Sequence, residues 1–222
     1  MEKMKILELE CGTKSFTKVA EARGHKCFTV DIDKKFNPDL CIDIMDFTID
    51  MLPKEFRNPD IIWASPPCIQ YSHAKRSGIR DIEGSNKIVS KNIDIIEQLN
   101  PKYYFLENPQ TGLLKFQPIL NEFPFYHRPY IDVSYCKYGF PYRKQTRIWT
   151  NCNVWKSRPI CRKDCKFMKD GKHIVSVGNG RSKYTSKIMK KEDKYKIPPE
   201  LCLEIIEAIE KWGIFAPNLK RF

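Results

Sequence analysis

Ser65-Pro66-Pro67-Cys68 and Glu107-Asn108-Pro109 are the two places in this chain where residue type and context together suggest chemistry. The first follows Asp60 to Ala64, a short apolar run that reads as a buried strand. The second closes another such run, Tyr103 to Leu106. Two prolines stiffen the chain before Cys68 and restrict where its sulfur points, because each fixes its own φ and restrains the residue before it. A thiol and a carboxyl at the ends of neighbouring strands suit covalent attack on a pyrimidine ring, with the carboxyl holding a proton on a ring nitrogen. A free thiol has a pKa of about 8.5, so such a site must lower it or take its proton during attack. The competing readings are a buried structural cysteine and a capping or solvated glutamate.

The elements that must position these residues follow from the hydrophobic pattern. Lys5 to Leu9, Cys27 to Val30, Leu40 to Ile44, Asp60 to Ala64 and Tyr103 to Leu106 read as strands. Phe16 to Glu21 and Lys87 to Leu99 read as helices with one apolar face, closed by Gly24 and by Asn100-Pro101. Residues 69–85 are polar, contain Gly78 and Gly84, and read as a mobile loop. Strands alternating with helices predict an α/β fold, a mostly parallel sheet with helices on both faces. In such sheets ligands sit at the carboxyl ends of strands. The Cys11-Gly12-Thr13 turn, the acids from Asp31 on, Cys68 and Glu107 all fall at such ends. After Pro129 the pattern changes: strands at Tyr130 to Ser134 and Arg147 to Thr150 flank a Gly139-Phe140-Pro141 turn. A last amphipathic helix runs from Pro199 to Trp212. The division expected is a catalytic domain over 1–150, a short irregular basic segment over 151–185, and a returning helical tail over 186–222.

Charge singles out the middle of these. Net charge is +12, and residues 137–196 carry eighteen lysines and arginines against four acids. The remainder of the chain is slightly acidic, so the excess is local. Aromatics interleave with it (Tyr138, Tyr142, Trp149, Trp155, Tyr184), the mixture expected of a nucleic-acid face. No apolar run is long enough for a membrane span, and Met1 leads straight into a strand pattern with no signal peptide. Nine cysteines, an odd number and several inside strands, imply free thiols in a reducing, intracellular compartment. Cys152, Cys161, Cys165 and His173 lie in the irregular segment, and the Cys161-x-x-x-Cys165 spacing is that of a zinc knuckle, so a structural zinc is a candidate there. Scattered cysteines are the alternative.

The order Leu7-Glu8-Leu9-Glu10-Cys11-Gly12, then Ser65-Pro66-Pro67-Cys68, then Glu107-Asn108-Pro109, then a Gly-x-Pro turn with spaced polar residues, resembles the C5-cytosine methyltransferase family. It covers most of residues 5–150 and is similar to the compact members of viruses and phages. The resemblance implies a Rossmann-like sheet binding S-adenosylmethionine, DNA as partner, base flipping, and a monomer. It makes Cys68 the nucleophile and Glu107 the group acting on cytosine N3. Arg147 is implied as the last arginine of a Gln-x-Arg-x-Arg motif, with Arg143 and Gln145 swapped relative to that pattern and one extra residue after Pro141. Ser72 would meet the phosphate beside the target, and Gln70 would fill the space that the base leaves. Glu8, Gly12, Phe16 and Pro66 would line the cofactor site, Asp31 would take the ribose hydroxyls and Asp43 the adenine amino group. Three departures stand out: Glu10 replaces an apolar residue, Lys14 replaces a glycine, and Tyr195 precedes Lys196-Ile197-Pro198-Pro199-Glu200 where the family has Gly-Asn. Glu10 and Lys14 are spaced to pair with each other, or Lys14 to meet the cofactor carboxylate. The same chemistry on RNA, and a nucleic-acid-binding module with a decayed cofactor turn, remain as alternatives.

Overall fold

In the computed structural model, which describes residues 3–73, 75, 77–120, 129–176 and 192–215, the most apolar runs become the middle of one sheet. The elements are β1 Lys5–Leu9, α1 Ser15–Ala22, β2 Lys26–Asp31, β3 Leu40–Cys41, β4 Ile61–Ala64, α2 Ile82–Leu99, β5 Tyr103–Pro109, β6 Tyr130–Ser134, β7 Gln145–Thr150, β8 Met168–Lys169, β9 Lys172–His173 and α3 Pro199–Phe215. Strand order in the seven-stranded sheet is β3-β2-β1-β4-β5-β7-β6. β1 to β5 pair in parallel, and β7 runs against both β5 and β6. β1, β4 and β5 are covered on both faces, which is why they read as continuous apolar stretches without alternation.

The two faces carry separate cores. On one, α2 places Val89, Ile93, Ile96 and Leu99 against Leu7, Ile62, Tyr104 and Leu106. On the other, α1 and α3 bring Phe16, Ala20, Leu201, Ile205 and Ile209 onto Ile6, Trp63, Phe105 and Ile148. A stack runs through this second core, Phe16 on Trp63 at 4.7 Å and Trp63 on Phe105 at 5.5 Å between ring centroids. α3 is tied to the end of α1 by Glu210, which accepts from Arg23 and from His25 Nε2 at 2.9 Å. The Met4 N–H donates to His25 Nδ1, which leaves the proton on Nε2.

β5 and β7 run longer than expected, to Pro109 and from Gln145, and two further boundaries differ for polar reasons. α2 begins five residues before Lys87, because Asp81 caps it by accepting from the Gly84 N–H at 2.8 Å. Its first turn is held by Asn86, which accepts from the buried Tyr71 hydroxyl, and such contacts leave no apolar period to read. β3 stops at Cys41, since Asp43 accepts from the Met45 N–H and turns the chain. Tyr184, and the remainder of the segments 177–191 and 216–222, lie outside the described residues. Among the described residues no helix is long and apolar enough to cross a membrane.

Candidate active site

The order of strands reverses between the parallel β1 and β4: β2 and β3 extend the sheet on one side, β4 and β5 on the other. Loops leaving the carboxyl ends of β1 and β4 therefore diverge and open a crevice. Gly12, Asp31, Asp43, Cys68 and Glu107 all lie at this rim, as the sequence predicts. The Ser65-Cys68 loop is fixed at its base by the Ser65 N–H donating to the Leu9 carbonyl and by Trp63 Nε1–H donating to Ser65 Oγ at 2.9 Å. From the next strand, buried Asn108 donates its amide to the Pro66 carbonyl at 2.9 Å. Asn108 thus links the loop that carries the thiol to the strand that carries the carboxyl.

Cys68 is half-buried and its thiol is free. Burial pushes the thiol up, the ammonium of Lys144 pulls it down, and Glu107 pushes it up again. Lys144 Nζ lies 3.6 Å from Glu107 Oε1, rests 4.8 Å above the Tyr135 ring and donates to the Lys194 carbonyl. Tyr135 donates its hydroxyl to the same Glu107 Oε1 at 3.1 Å. Glu107 is only 7% exposed. A thiol, a cation and a carboxyl that sense one another in a partly dry pocket form a unit able to ionise sulfur and to hold a proton opposite it. Tyr195, where the family has asparagine, belongs to the same surroundings: burial raises its phenol, and the charges of Cys68, Lys35 and Lys144 act on it.

Lys144 and Tyr135 are not singled out by the sequence, Tyr195 only as a departure from the family pattern, and Arg147 is placed elsewhere. Arg147 stands opposite Asn108 and Asp132 in the sheet, whereas Glu107 stands opposite Ile148. Side chains alternate along a strand, so Arg147 projects from the face opposite Glu107. There it grips Asp132 with two bonds of 2.7 and 2.9 Å and stacks 3.5 Å over Tyr130. The extra residue after Pro141 accounts for this. Matched backwards from Arg147-Ile148-Trp149, the family's polar positions are Arg143, Gln145 and Arg147. Matched forwards from Pro141, they are Tyr142, Lys144 and Thr146. Of the second set, Lys144 meets Glu107 and Thr146 shares its face of the sheet, while Tyr142 donates to the Asp193 carbonyl; a one-residue offset exchanges the faces. Arg143 is exposed and Gln145 half-buried beside the rim.

The cofactor candidates divide in the same way. A cleft of about 160 Å³ is lined by Glu10, Val30, Asp31, Ile32, Ile42, Asp43, Ile44, Pro67 and Ile88. Asp31 accepts from the Gly12 and Asp33 N–H groups at 2.7 and 2.8 Å, one on each oxygen, which aims the carboxylate. Phe16 is not in this cleft: it is fully buried in the aromatic stack on the α1 face. Glu8 is also fully enclosed and accepts from the Phe16 and Thr17 N–H groups at the start of α1, with burial raising its carboxyl to about 7. Pro67, rather than Pro66, faces the cleft. An aromatic and a carboxylate beside a glycine turn signal the turn's support here, not its ligand.

The expected pairing of Glu10 with Lys14 is absent. Glu10 turns inward and accepts from Asn92 Nδ2 at 2.7 Å, while Glu10 Oε2 and Asn92 Oδ1 have no partner among the described residues. Burial, followed by the nearby Asp31 and Asp43 charges, raises the Glu10 carboxyl to about 8. The folded chain thus keeps a proton that the unfolded chain releases near the ordinary value of 4.5. Stability must fall as pH rises from about 4.5 to about 8. Glu10→Gln is expected to flatten that fall and to raise stability near pH 8. Urea unfolding of both proteins at pH 5 and pH 8 measures it; an equal pH slope in the two would refute the assignment.

Lys14 adopts φ 54 and ψ 46 at the start of α1, with no side-chain capping bond. A left-handed residue with a Cβ costs roughly 1–2 kcal/mol, which explains the glycine expected there. Lys14→Gly should shift the urea midpoint upward by the equivalent of about 1 kcal/mol; an unchanged or lower midpoint would show that the lysine side chain stabilises the turn. Lys14 lines a wider opening with Gly12, Lys18, Lys35 and Lys196.

The loop after Cys68, read as mobile, is organised by one side chain. Arg80 donates to the carbonyls of Gln70, Ser72 and Lys75. Gln70 is half-buried, and its side-chain oxygen accepts from Lys75 Nζ at 2.6 Å. Of the suggested metal ligands, Cys161, Cys165 and His173 come together, but Cys152 is buried in the apolar core with Trp155 and Leu201. Cys136 occupies the fourth corner. It lies outside the irregular segment, so no spacing pattern within that segment could include it.

The profile of the family described as "C-5 cytosine-specific DNA methylase" matches residues 4–123. The chain is 31% identical over 229 residues to the "Probable DNA (cytosine-5)-methyltransferase" of Frog virus 3 (isolate Goorha), covering 92% of this chain and 99% of that one. Among solved structures it is similar to a "putative DNA modification methyltransferase" encoded within an E. coli prophage, with a TM-score of 0.55 and 18% identity over 72% of this chain. This chain spans about half of that one, 52%.

Proposed function

The chain belongs to the C-5 cytosine-specific DNA methylase family, and from that premise we propose that it methylates C5 of cytosine in DNA with Cys68 as nucleophile and S-adenosylmethionine as donor. The observation that carries this reading is the 3.6 Å pairing of Lys144 with Glu107, whose charges both act on the Cys68 thiol on the neighbouring loop. The donor fits the cleft by chemistry. Asp31 accepts from ribose hydroxyls, Asp43 accepts from the adenine amino group, and Ile32, Ile44, Pro67 and Ile88 supply apolar walls. Lys14 and Lys18, at the wider opening, suit the carboxylate of the methionine end. When bound, S-adenosylmethionine supplies a methyl group electrophilic enough for an enamine carbon to take it.

Cytosine is not nucleophilic at C5 until its aromaticity is broken. The Cys68 sulfur forms a bond to C6 while Glu107 holds a proton on N3, so the displaced electron pair is accommodated in the ring and C5 becomes electron-rich. Lys144 favours the thiolate before attack and neutralises charge beside Glu107. Loss of the C5 proton to solvent, return of the N3 proton to Glu107 and departure of sulfur from C6 then restore the ring and free the thiolate. C5 is inaccessible within a stacked duplex, so the base must leave the helix. Gln70 and Ser72, on the loop that Arg80 braces, face the gap and its phosphate in this reading. Arg143, Gln145 and the basic segment 151–185 supply phosphate contacts.

Labelled S-adenosylmethionine incubated with the full chain and either duplex DNA or tRNA tests the proposal. Label in 5-methylcytosine from DNA supports it. Label confined to tRNA moves the substrate to RNA. An absence of both label and covalent adduct with a 5-fluorocytosine duplex leaves only a binding module.

A further inference from the structure

Three thiols and an imidazole gather beyond the end of β6, the edge strand of the sheet. The ligand atoms of Cys136, Cys161, Cys165 and His173 all lie within 4.8 Å of one another. His173 Nε2 is 3.6 Å from Cys161 Sγ and 3.3 Å from Cys165 Sγ. A zinc with bonds of about 2.3 Å to sulfur and about 2.0–2.1 Å to nitrogen has tetrahedral edges of roughly 3.6–3.8 Å. The gathered atoms are thus already near the corners of such a tetrahedron.

The backbone around them is built to the same end. Cys161 to Cys165 is a tight turn with Lys163 at φ 68. His173 is presented by the β8–β9 hairpin, turned at Asp170-Gly171 with both residues at positive φ. Cys136 comes from a different part of the fold, the helical turn that follows β6. Residues 152–176 contain only two-residue strands, so little regular structure holds them on their own. A four-coordinate metal would supply that constraint.

We propose that Cys136, Cys161, Cys165 and His173 bind one structural zinc ion, which fastens the basic segment to the catalytic sheet. All four protein ligands are taken, so the site is structural and keeps no open position for a substrate. Cys136 directly follows Tyr135, whose hydroxyl donates to Glu107, so the metal also steadies one wall of the thiol pocket. That last consequence rests on the methyl-transfer reading; metal content does not, and the two fail separately.

The test is metal analysis by mass spectrometry of the full chain, purified natively in reductant without added chelator. One zinc per chain is expected. Cys136→Ser and Cys165→Ser should each lose it, and Cys152→Ser should retain it. Cys165 is half-buried and outside the apolar cores, so its variant stays informative if Cys136→Ser does not fold. Cobalt titration of chelator-stripped protein should give the visible bands of tetrahedral thiolate coordination, in wild type and Cys152→Ser only. Wild type free of metal that also fails to bind cobalt would overturn the proposal. So would a Cys136–Cys161 disulfide in the freshly purified chain, or zinc retained by Cys165→Ser.

Discussion

Cys68→Ala should abolish methyl transfer, by at least about 10⁴-fold, while leaving the fold and the affinity for S-adenosylmethionine intact. The size follows from the chemistry: without a bond to C6 the C5 carbon never becomes nucleophilic, and groups that act as a unit lose nearly everything when one is removed. The fold should survive because Cys68 sits on a loop that is fixed by its neighbours, through Trp63, Leu9 and Asn108, and not by its own sulfur. Two measurements check it. Methyl transfer to duplex DNA should vanish, and the denaturant-stable adduct with a 5-fluorocytosine duplex should vanish with it. Persistence of either in the variant would remove Cys68 from the nucleophile's role.

Lys144→Met should lower kcat by about 10²–10³-fold, the range for one acid–base or electrostatic partner. Its signature is in the pH profile. The Cys68 thiol is held above its ordinary value by burial, and Lys144 is the cation acting to lower it. The rate should therefore climb with pH in wild type as sulfur ionises. Removing the ammonium must push the thiol further up and move that climb to higher pH. A depressed rate with an unmoved profile would instead assign Lys144 a packing role against Tyr135. Lys144→Arg, which keeps the charge, should recover the position of the climb if not the full rate. Cofactor affinity should be unchanged, since Lys144 is not among the cleft residues.

Lys144 also shows how the amino-acid order can mislead. It sits between Arg143 and Gln145, the two residues that a match to Arg147-Ile148-Trp149 singles out. Composition and motif spacing both point to the arginines. Only the pairing of β7 with β5, Thr146 opposite Pro109 and Ile148 opposite Glu107, reveals which residues share the face of the pocket. Cys136 and Cys152 teach the same lesson: sixteen positions apart, one meets the Cys161 turn and the other enters the core.

What the order of residues determines is the sheet and its rim. Short apolar strands followed by a glycine turn, acids, a proline-stiffened thiol and a carboxyl force those groups to the carboxyl ends of parallel strands, because crossover connections run one way. That placement is local, a matter of which residue ends which strand. Facing is not local. Whether Arg147 or Lys144 meets Glu107, whether Phe16 lies under adenine or in the core, and which cysteine closes the four-ligand cluster all depend on strand register and on contacts between distant segments. A register offset of one residue exchanges the faces without altering a strand's hydrogen-bonded framework, so the tertiary structure alone decides it.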